Sequence, residues 1–396
     1  MFVIREVQQK ALVAAACIVA LTSAPTFAQE SPLGQAQTAA LAETAASQQQ
    51  DTGQKSNFLT FFEKTEVAGT LDTYFHYNFN HPSTGSLTPL RNFDFGHNQF
   101  SFALAELAFS KVPTADDRVG FRLDLDYGPV TDWVHSADPT GVEAVKHIQQ
   151  AYISYLAPAG TGLSFDVGKF VTQHGAEVIE AKDNWNYSRS LLFAWAIPYY
   201  HMGARVGYSP NDKLTLGATV NNGWNNVTDN NSQKTYGVQA VIKPIPSVSI
   251  VQNYMGGPEQ ANDTDDWRHL ADTTVTYTAN DKFSVMGNYD YGRDRSGGAT
   301  VTWQGVALYA KGQFTPYFAV IPRYEYFNDE DGFTTLVAQN LQEFTLTAEL
   351  KHSQGLIMRL EYRRDWSDVD FFSVDGAATD HQNTFSVGLV YSFSTK

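Results

Sequence analysis

Charged side chains recur at every second position of several apolar stretches, and this spacing is the first chemical signal in the chain. Arg359, Glu361 and Arg363 alternate with Leu360 and Tyr362, and Arg122, Asp124 and Asp126 alternate with Leu123 and Leu125. Arg205, Arg323, Asp290, Glu325, Glu343 and Glu349 stand in further runs of the same kind. Successive residues of a strand point to opposite faces, so each run offers one apolar face and one charged or small face. Facing rows of acids and bases can set a field that sorts small polar solutes, but they attack no bond. Reactive chemistry finds less support. The ten histidines form no HExxH, no paired-histidine strand motif and no cysteine–histidine set. There is no G-x-S-x-G element, and His147 and His269 have no serine partner that spacing identifies. A lipid hydrolase therefore stays an alternative without a motif, and no metal or cofactor is implied. Asp229-Asn230-Asn231, the stretch from Asn262 to Asp266, and Asp329-Glu330-Asp331 carry the hard oxygens that calcium or magnesium prefer. Solvated loop charge is the plainer reading of these clusters, and divalent bridging to lipopolysaccharide is the other.

Charges in alternation need strands to hold them. In TFSVGLVYSF, Phe385, Val387, Leu389, Tyr391 and Phe393 share one face, and Thr384, Ser386, Gly388 and Ser392 lie on the other. Similar patterns predict about sixteen strands, near 67–79, 98–109, 118–127, 147–156, 163–170, 201–209, 213–222, 234–243, 247–255, 269–278, 282–292, 302–312, 315–327, 342–351, 356–366 and 383–393. Short connections with turn chemistry, such as Pro210 to Asp212 and His352 to Gly355, alternate with long ones. The long connections are expected at Asn80–His97, Gly128–Lys146, Val171–Tyr200, Asn222–Gln233, Gly256–Arg268, Arg293–Thr302, Asn328–Leu341 and Ser367–Gln382. A soluble sandwich would spread loop lengths over both ends. Short turns at one end and long loops at the other predict an all-β transmembrane antiparallel barrel, with periplasmic turns and extracellular loops. Phe121, Leu123, Leu125, Leu216, Leu346, Leu360 and Leu389 are then expected to face lipid. Thr347 is expected to face an open lumen that tolerates a lysine.

The first residues point to export. Arg5 and Lys10 precede the apolar run Ala11–Leu21, and small residues follow to Ala28, which predicts a secretory signal peptide over 1–28. The run is shorter than the roughly 20 residues a spanning helix needs. Cys17, the only cysteine, would leave with the signal, and Ala14 stands where a lipobox has leucine. Residues 29–57 are rich in Gln, Ala, Ser and Thr and read as a flexible periplasmic tract, and Phe58–Lys64 as an amphipathic turn or a simple connector. The barrel is assigned to 58–396. A formal net charge of −15 leaves no basic face to neutralise phosphates, which excludes a nucleic-acid partner.

TEVAGTLDTYFHYNF (Thr65 to Phe79), IQQAYISYL (Ile148 to Leu156), DVGKF (Asp166 to Phe170), DNWNYSRSLLF (Asp183 to Phe193) and QNYMGGPEQ (Gln252 to Gln260) resemble the Gram-negative β-barrel porin family described as OmpL-like. The resemblance covers nearly all of the chain after Asn57. It implies an outer-membrane porin and brings no established binding residues. The partners it implies are outer-membrane lipid, lipopolysaccharide, small hydrophilic solutes and ions; oligomeric state stays open, with a homotrimer as one outcome.

On this reading the chain is a passive aqueous pore, exported by the Sec pathway, with a modest cation preference from an acidic excess inside. A structural or adhesive barrel closed by its loops is the alternative. The connection Val171–Tyr200 carries Ile179, Leu191, Leu192, Phe193, Trp195 and Ile197, too much apolar surface for a loop in water. Packing over the barrel mouth or against a neighbouring subunit would bury it. Porins of this size use their third loop inside the lumen, and the expectation adopted is that this one folds inward. It would present Glu177, Glu180, Lys182, Asp183 and Arg189 to solute, across from Arg122, Asp124, Arg205, Arg323, Arg359 and Arg363.

Overall fold

The computed structural model describes residues 63–82, 87–136, 138 and 143–396. The signal peptide, the polar tract and the beginning of the turn at 58–64 lie outside the described residues. From Thr65 the chain alternates as its sequence does. Its strands are β1 (Glu66–Asn78), β2 (Gln99–Lys111), β3 (Val119–Tyr127), β4 (Ile148–Ala157), β5 (Leu163–Val171), β6 (Tyr200–Asn211), β7 (Leu214–Asn221), β8 (Thr235–Ile245) and β9 (Val248–Pro258). They continue with β10 (Trp267–Asn280), β11 (Phe283–Ser296), β12 (Ala299–Thr315), β13 (Phe318–Asp329), β14 (Gln339–Lys351), β15 (Leu356–Ser367), β16 (Phe372–Val374), β17 (Ala377–Thr379) and β18 (His381–Ser394). All but β16 and β17 pair with their neighbours in sequence order and close into one antiparallel barrel through β1 and β18, with Leu71 opposite Tyr391 and Tyr77 opposite Phe385. The closed barrel leaves no strand edge unpaired, which a bilayer requires. β16 and β17 form a small separate hairpin inside the last long connection.

The two faces separate by chemistry. Leu216, Leu346, Leu389, Tyr391 and Phe393 are exposed on the outside, and Phe121, Leu123, Leu125 and Leu360 are partly exposed. Their neighbours Asp124, Thr347, Glu361 and Ser386 are buried. Aspartate–lysine pairs at Asp212-Lys213 and Asp281-Lys282 turn the chain tightly at one end. At the other end lie the connections 79–98, 128–147, 172–199, 222–234, 259–266, 330–338 and 368–380. The stretch Arg293–Thr302 departs from the expected long loop. Arg293 pairs with Thr302 and Asp294 with Val301, and the turn is Gly297-Gly298 alone, at φ 59° and 82°. Two central residues with positive φ make the primed hairpin turn that matches strand twist, and glycine takes that conformation without strain.

The apolar core lies inside the barrel and is built by loops. Leu90 and Phe93 come from the first long connection, and Val130 and Val134 from a short helix α1 (Pro129–Val134) in the second. Ile179, Leu191, Leu192, Phe193 and Ile197 come from the third. Inward residues of the outer half, such as Asn221, Asn253, Asp272 and Asp365, are buried beneath these loops. Inward residues nearer the periplasmic turns, such as Ser164, Thr215, Thr276 and Ser284, are partly exposed. Among the described residues the lumen is therefore packed toward the outside and hollow toward the periplasm.

Candidate functional site

The connection 172–199 leaves β5 and returns to β6 beside Val171 paired with Tyr200, and Thr172 N donates to Tyr199 O at 2.9 Å. Between those ends it crosses the barrel interior. A loop in that place brings backbone N–H and C=O groups away from water, and each needs a partner. The inward face of the sheet supplies them. Asn253 Nδ2 on β9 donates to Gln173 O at 3.0 Å, and Asn288 Oδ1 on β11 accepts Ala176 N–H at 3.2 Å. Glu325 on β13 accepts Leu191 N–H at 3.0 Å and Leu192 N–H at 3.2 Å, one on each oxygen. Glu361 on β15 accepts Tyr187 N–H at 2.7 Å and Ser188 N–H at 2.9 Å in the same way. The Tyr187 hydroxyl donates to Asp72 Oδ1 on β1 at 2.9 Å. Gly388 lets that ring approach, since a Cβ there would stand 2.3 Å from Tyr187 Cδ2.

Arginines hold the carbonyls. Arg323 donates to Ser188 O at 2.7 Å and to Glu343 at 2.8 Å. Arg359 donates to Ala181 O and Asn184 O and to Glu349 Oε2 at 2.7 Å. Arg363 donates to Arg189 O at 2.7 Å and pairs with Asp365 at 2.6 Å. These three guanidinium groups are no more than 1% exposed. The expectation that they line the passage is therefore corrected: they fasten the loop, because a planar fork of five N–H donors satisfies carbonyls and a carboxylate together.

Glu177 and Arg189 require the same correction, because both are buried within the loop and not presented to solute. Glu177 accepts Arg323 Nη1 at 2.9 Å, Tyr309 OH at 3.2 Å and Ser190 N–H at 2.6 Å. Arg189 donates to Val178 O at 3.1 Å, to Tyr187 O at 2.6 Å and to Ile179 O, and its guanidinium lies 4.6 Å from the centre of the Phe93 ring. Thr347 is likewise covered and donates to Glu361 while accepting Asn186 Nδ2, so it does not face open lumen.

What stays accessible is a smaller set. Lys182 and Asp183 pair with each other, with side chains 26% and 56% exposed. Burial raises the Glu180 carboxyl above its ordinary value. Against a partial burial that favours the neutral amine, the Asp183 carboxylate raises Lys182, so the ammonium is charged at neutral pH. Lys182 and Asp183, but not Glu180, face a recess of about 400 Å³ lined also by Glu66, Glu106, Ser110 and Arg122. Arg122 is gripped from behind by Asp124, with Nε 3.0 and 2.8 Å from its two oxygens. Arg205 donates to Asp166 Oδ2 at 2.8 Å, and its guanidinium stands 5.1 Å from the Tyr152 ring and 4.7 Å from the Phe170 ring. Sequence reasoning missed Glu66, Glu106 and Asp166, because nothing local in the sequence singles them out. Among the described residues no cluster of His, Cys, Asp and Glu has the geometry of a metal site. A recess with fixed charges of both signs can screen passing solutes by size and charge.

The family described as "Putative beta-barrel porin-2, OmpL-like" matches residues 64–393. Among solved structures, the outer-membrane channel DcaP of Acinetobacter baumannii is similar at a TM-score of 0.56 and 12% identity, covering 87% of this chain and 100% of that one. An anion-selective porin from Comamonas acidovorans is similar at a TM-score of 0.59 and 9% identity, covering 83% and 99%. The trimer form of OmpT, an outer-membrane protein of Vibrio cholerae, is similar at 0.55 and 11%, covering 83% and 99%. Comparison with curated proteins finds no match. At such identities these structures speak for the fold, and the match over nearly the whole barrel speaks for the family: the chain belongs to the OmpL-like β-barrel porins and is an outer-membrane channel protein.

Proposed function

We propose that the chain is a passive diffusion channel for small hydrophilic solutes, with its narrowest level where the third long connection faces the inner wall. Barrels of about this strand number are wide enough to leave an aqueous lumen, whereas about eight strands fill with side chains. The observation that carries the reading is the one-sided fastening of the loop. Its backbone is bonded to inward residues of β9, β11, β13 and β15 and its Tyr187 hydroxyl to Asp72 of β1, while Lys182 and Asp183 stand across a recess from Arg122 and Glu106. The acidic excess of the chain, a formal net charge of −15, supports a modest cation preference.

A second reading has its own support. The apolar core formed by Leu90, Phe93, Val130, Leu191 and Phe193 fits a barrel whose loops close the lumen and whose role is structural. Planar-bilayer recording of the purified protein separates the two. Stable open-channel steps are expected. A silent bilayer from protein that still migrates as a heat-modifiable barrel overturns the channel in favour of the closed one.

A further inference from the structure

The inward face carries four acidic pairs set directly across neighbouring strands, and they are treated differently. Like charges in that position, with Cβ atoms about 5 Å apart, are destabilising unless something intervenes. Glu325 opposite Glu343 is compensated by Arg323, 3.3 Å from the first and 2.8 Å from the second. Glu343 opposite Asp365 is compensated by Arg363, 3.2 Å from the first and 2.6 Å from the second. Asp272 opposite Asp290 is bridged by amides, with Asn253 Nδ2 2.6 Å and Asn288 Nδ2 2.7 Å from Asp272 and Asn288 Nδ2 3.3 Å from Asp290. Glu106 opposite Asp126 has neither remedy. Asp126 is 1% exposed with both carboxylate oxygens unpartnered, and Glu106 Oε2 is buried and unpartnered as well.

The nearby cations are occupied elsewhere. Arg122 is held by Asp124, Lys182 by Asp183, and Lys169 donates to His135 and to Ile148 O. A separate feature points to the same spot. Gln149, wholly buried, has neither its amide oxygen nor its amide nitrogen partnered. It stands at the bulge where Asp124 pairs with Gln150 and Leu125 with Ile148, one position along from Asp126, whose N–H donates to His147 O. Glu106 itself borders the recess, on the hollow half of the barrel.

We propose that Glu106, Asp126 and Gln149 form a subsite for the primary ammonium group of a small organic solute. An ammonium head presents three N–H donors, and the unpartnered acceptors Glu106 Oε2, the Asp126 carboxylate and Gln149 Oε1 are three groups on adjoining strands that lack donors. Charge-assisted bonds to both acids offset a cross-strand repulsion that no hydrogen bond among the described residues relieves. The subsite rests on the channel reading for its route of access and names the solute class that the channel would retain.

Calorimetry on the purified barrel in detergent tests it without requiring conduction. The probes are n-butylammonium, tetramethylammonium, which has the charge but no N–H donors, and magnesium chloride. Butylammonium is expected to bind at least tenfold more tightly than tetramethylammonium. The double variant Glu106→Gln, Asp126→Asn should lose at least tenfold, and the single variant Asp126→Asn should weaken binding in the same direction. Asp281→Asn, which removes an exposed charge at the turn between β10 and β11, should change it less than twofold. Equal affinity for the two organic cations, equal loss in Asp281→Asn, or magnesium binding that excludes butylammonium each overturns the ammonium subsite. Binding in a barrel that conducts no current would leave the subsite standing and remove the channel; current without butylammonium binding would do the reverse.

Discussion

A single strand carboxylate that accepts two successive backbone N–H groups does for the interior loop what a capping side chain does for a helix end. Glu361 takes Tyr187 and Ser188 together with the Thr347 hydroxyl, and Glu325 takes Leu191 and Leu192. Removing the acceptor leaves donors buried and unpaired, at about 2–3 kcal/mol for bonds to a charged group. Glu361→Ala is therefore expected to speed amide exchange at Tyr187 and Ser188 by about a hundredfold, and Glu361→Gln by less, since one acceptor oxygen stays. Unchanged exchange in Glu361→Ala would mean that apolar packing alone holds the loop. Orientation of single residues also fixes tolerance to charge. Leu346 faces out and is 43% exposed, whereas Thr276 faces the hollow half, between outward Val275 and Tyr277. Leu346→Arg should lower barrel stability in urea by about 2–4 kcal/mol and Thr276→Lys by much less. Equal losses would contradict the assigned faces.

At the scale of elements, alternation made the barrel readable, because a period of two is enforced wherever lipid lies on one side and water or a packed loop on the other. The strands expected at 163–170 and 201–209 run Leu163–Val171 and Tyr200–Asn211, so their facing ends differ from expectation by one residue each. Arg293 to Ser296 and Ala299 to Val301 escaped because they extend a hairpin past the apolar band, where polar residues read as loop. The site was less legible. Charge at Glu177, Arg189, Arg323, Arg359 and Arg363 was visible, but whether a charge meets solute or a buried carbonyl depends on contacts more than a hundred residues apart, such as Arg323 to Ser188. Apolar content gave away the third connection, while Leu90, Phe93, Val130 and Val134 are too sparse in their own loops to have marked them as interior. The element-scale test is direct. Replacing His174–Trp195 by a short Gly/Ser linker should raise single-channel conductance and admit larger sugars, and the bared Arg323, Glu325, Arg359 and Glu361 become hydrated instead of stranded. A folded, shortened barrel with wild-type conductance and size limit would show that this loop is not the constriction.

For the whole molecule, ion preference integrates every accessible charge, with buried pairs contributing little because their fields largely cancel. Arg323, Arg359 and Arg363 are neutralised in place by Glu343, Glu349 and Asp365, so the remaining charge of a chain with a formal net charge of −15 sets the sign. A reversal potential in a potassium chloride gradient is expected to show cation preference of a few-fold, weakening at high salt as screening sets in. Clear anion selectivity would contradict it. The fastening of the interior loop also dictates an order of events. Residues 172–199 precede β9, β11, β13 and β15 in the chain, yet their backbone partners stand on those strands, and Tyr187 reaches back to Asp72 on β1. The segment lacks its full set of partners until β15 has joined the sheet. During assembly it is therefore expected to stay an undocked apolar stretch until then, and its docking to form a later kinetic phase. Pulse-labelled exchange during refolding into vesicles should show amides of 186–192 gaining protection after the barrel resists detergent unfolding; simultaneous protection would mean that the loop travels in with the closing sheet.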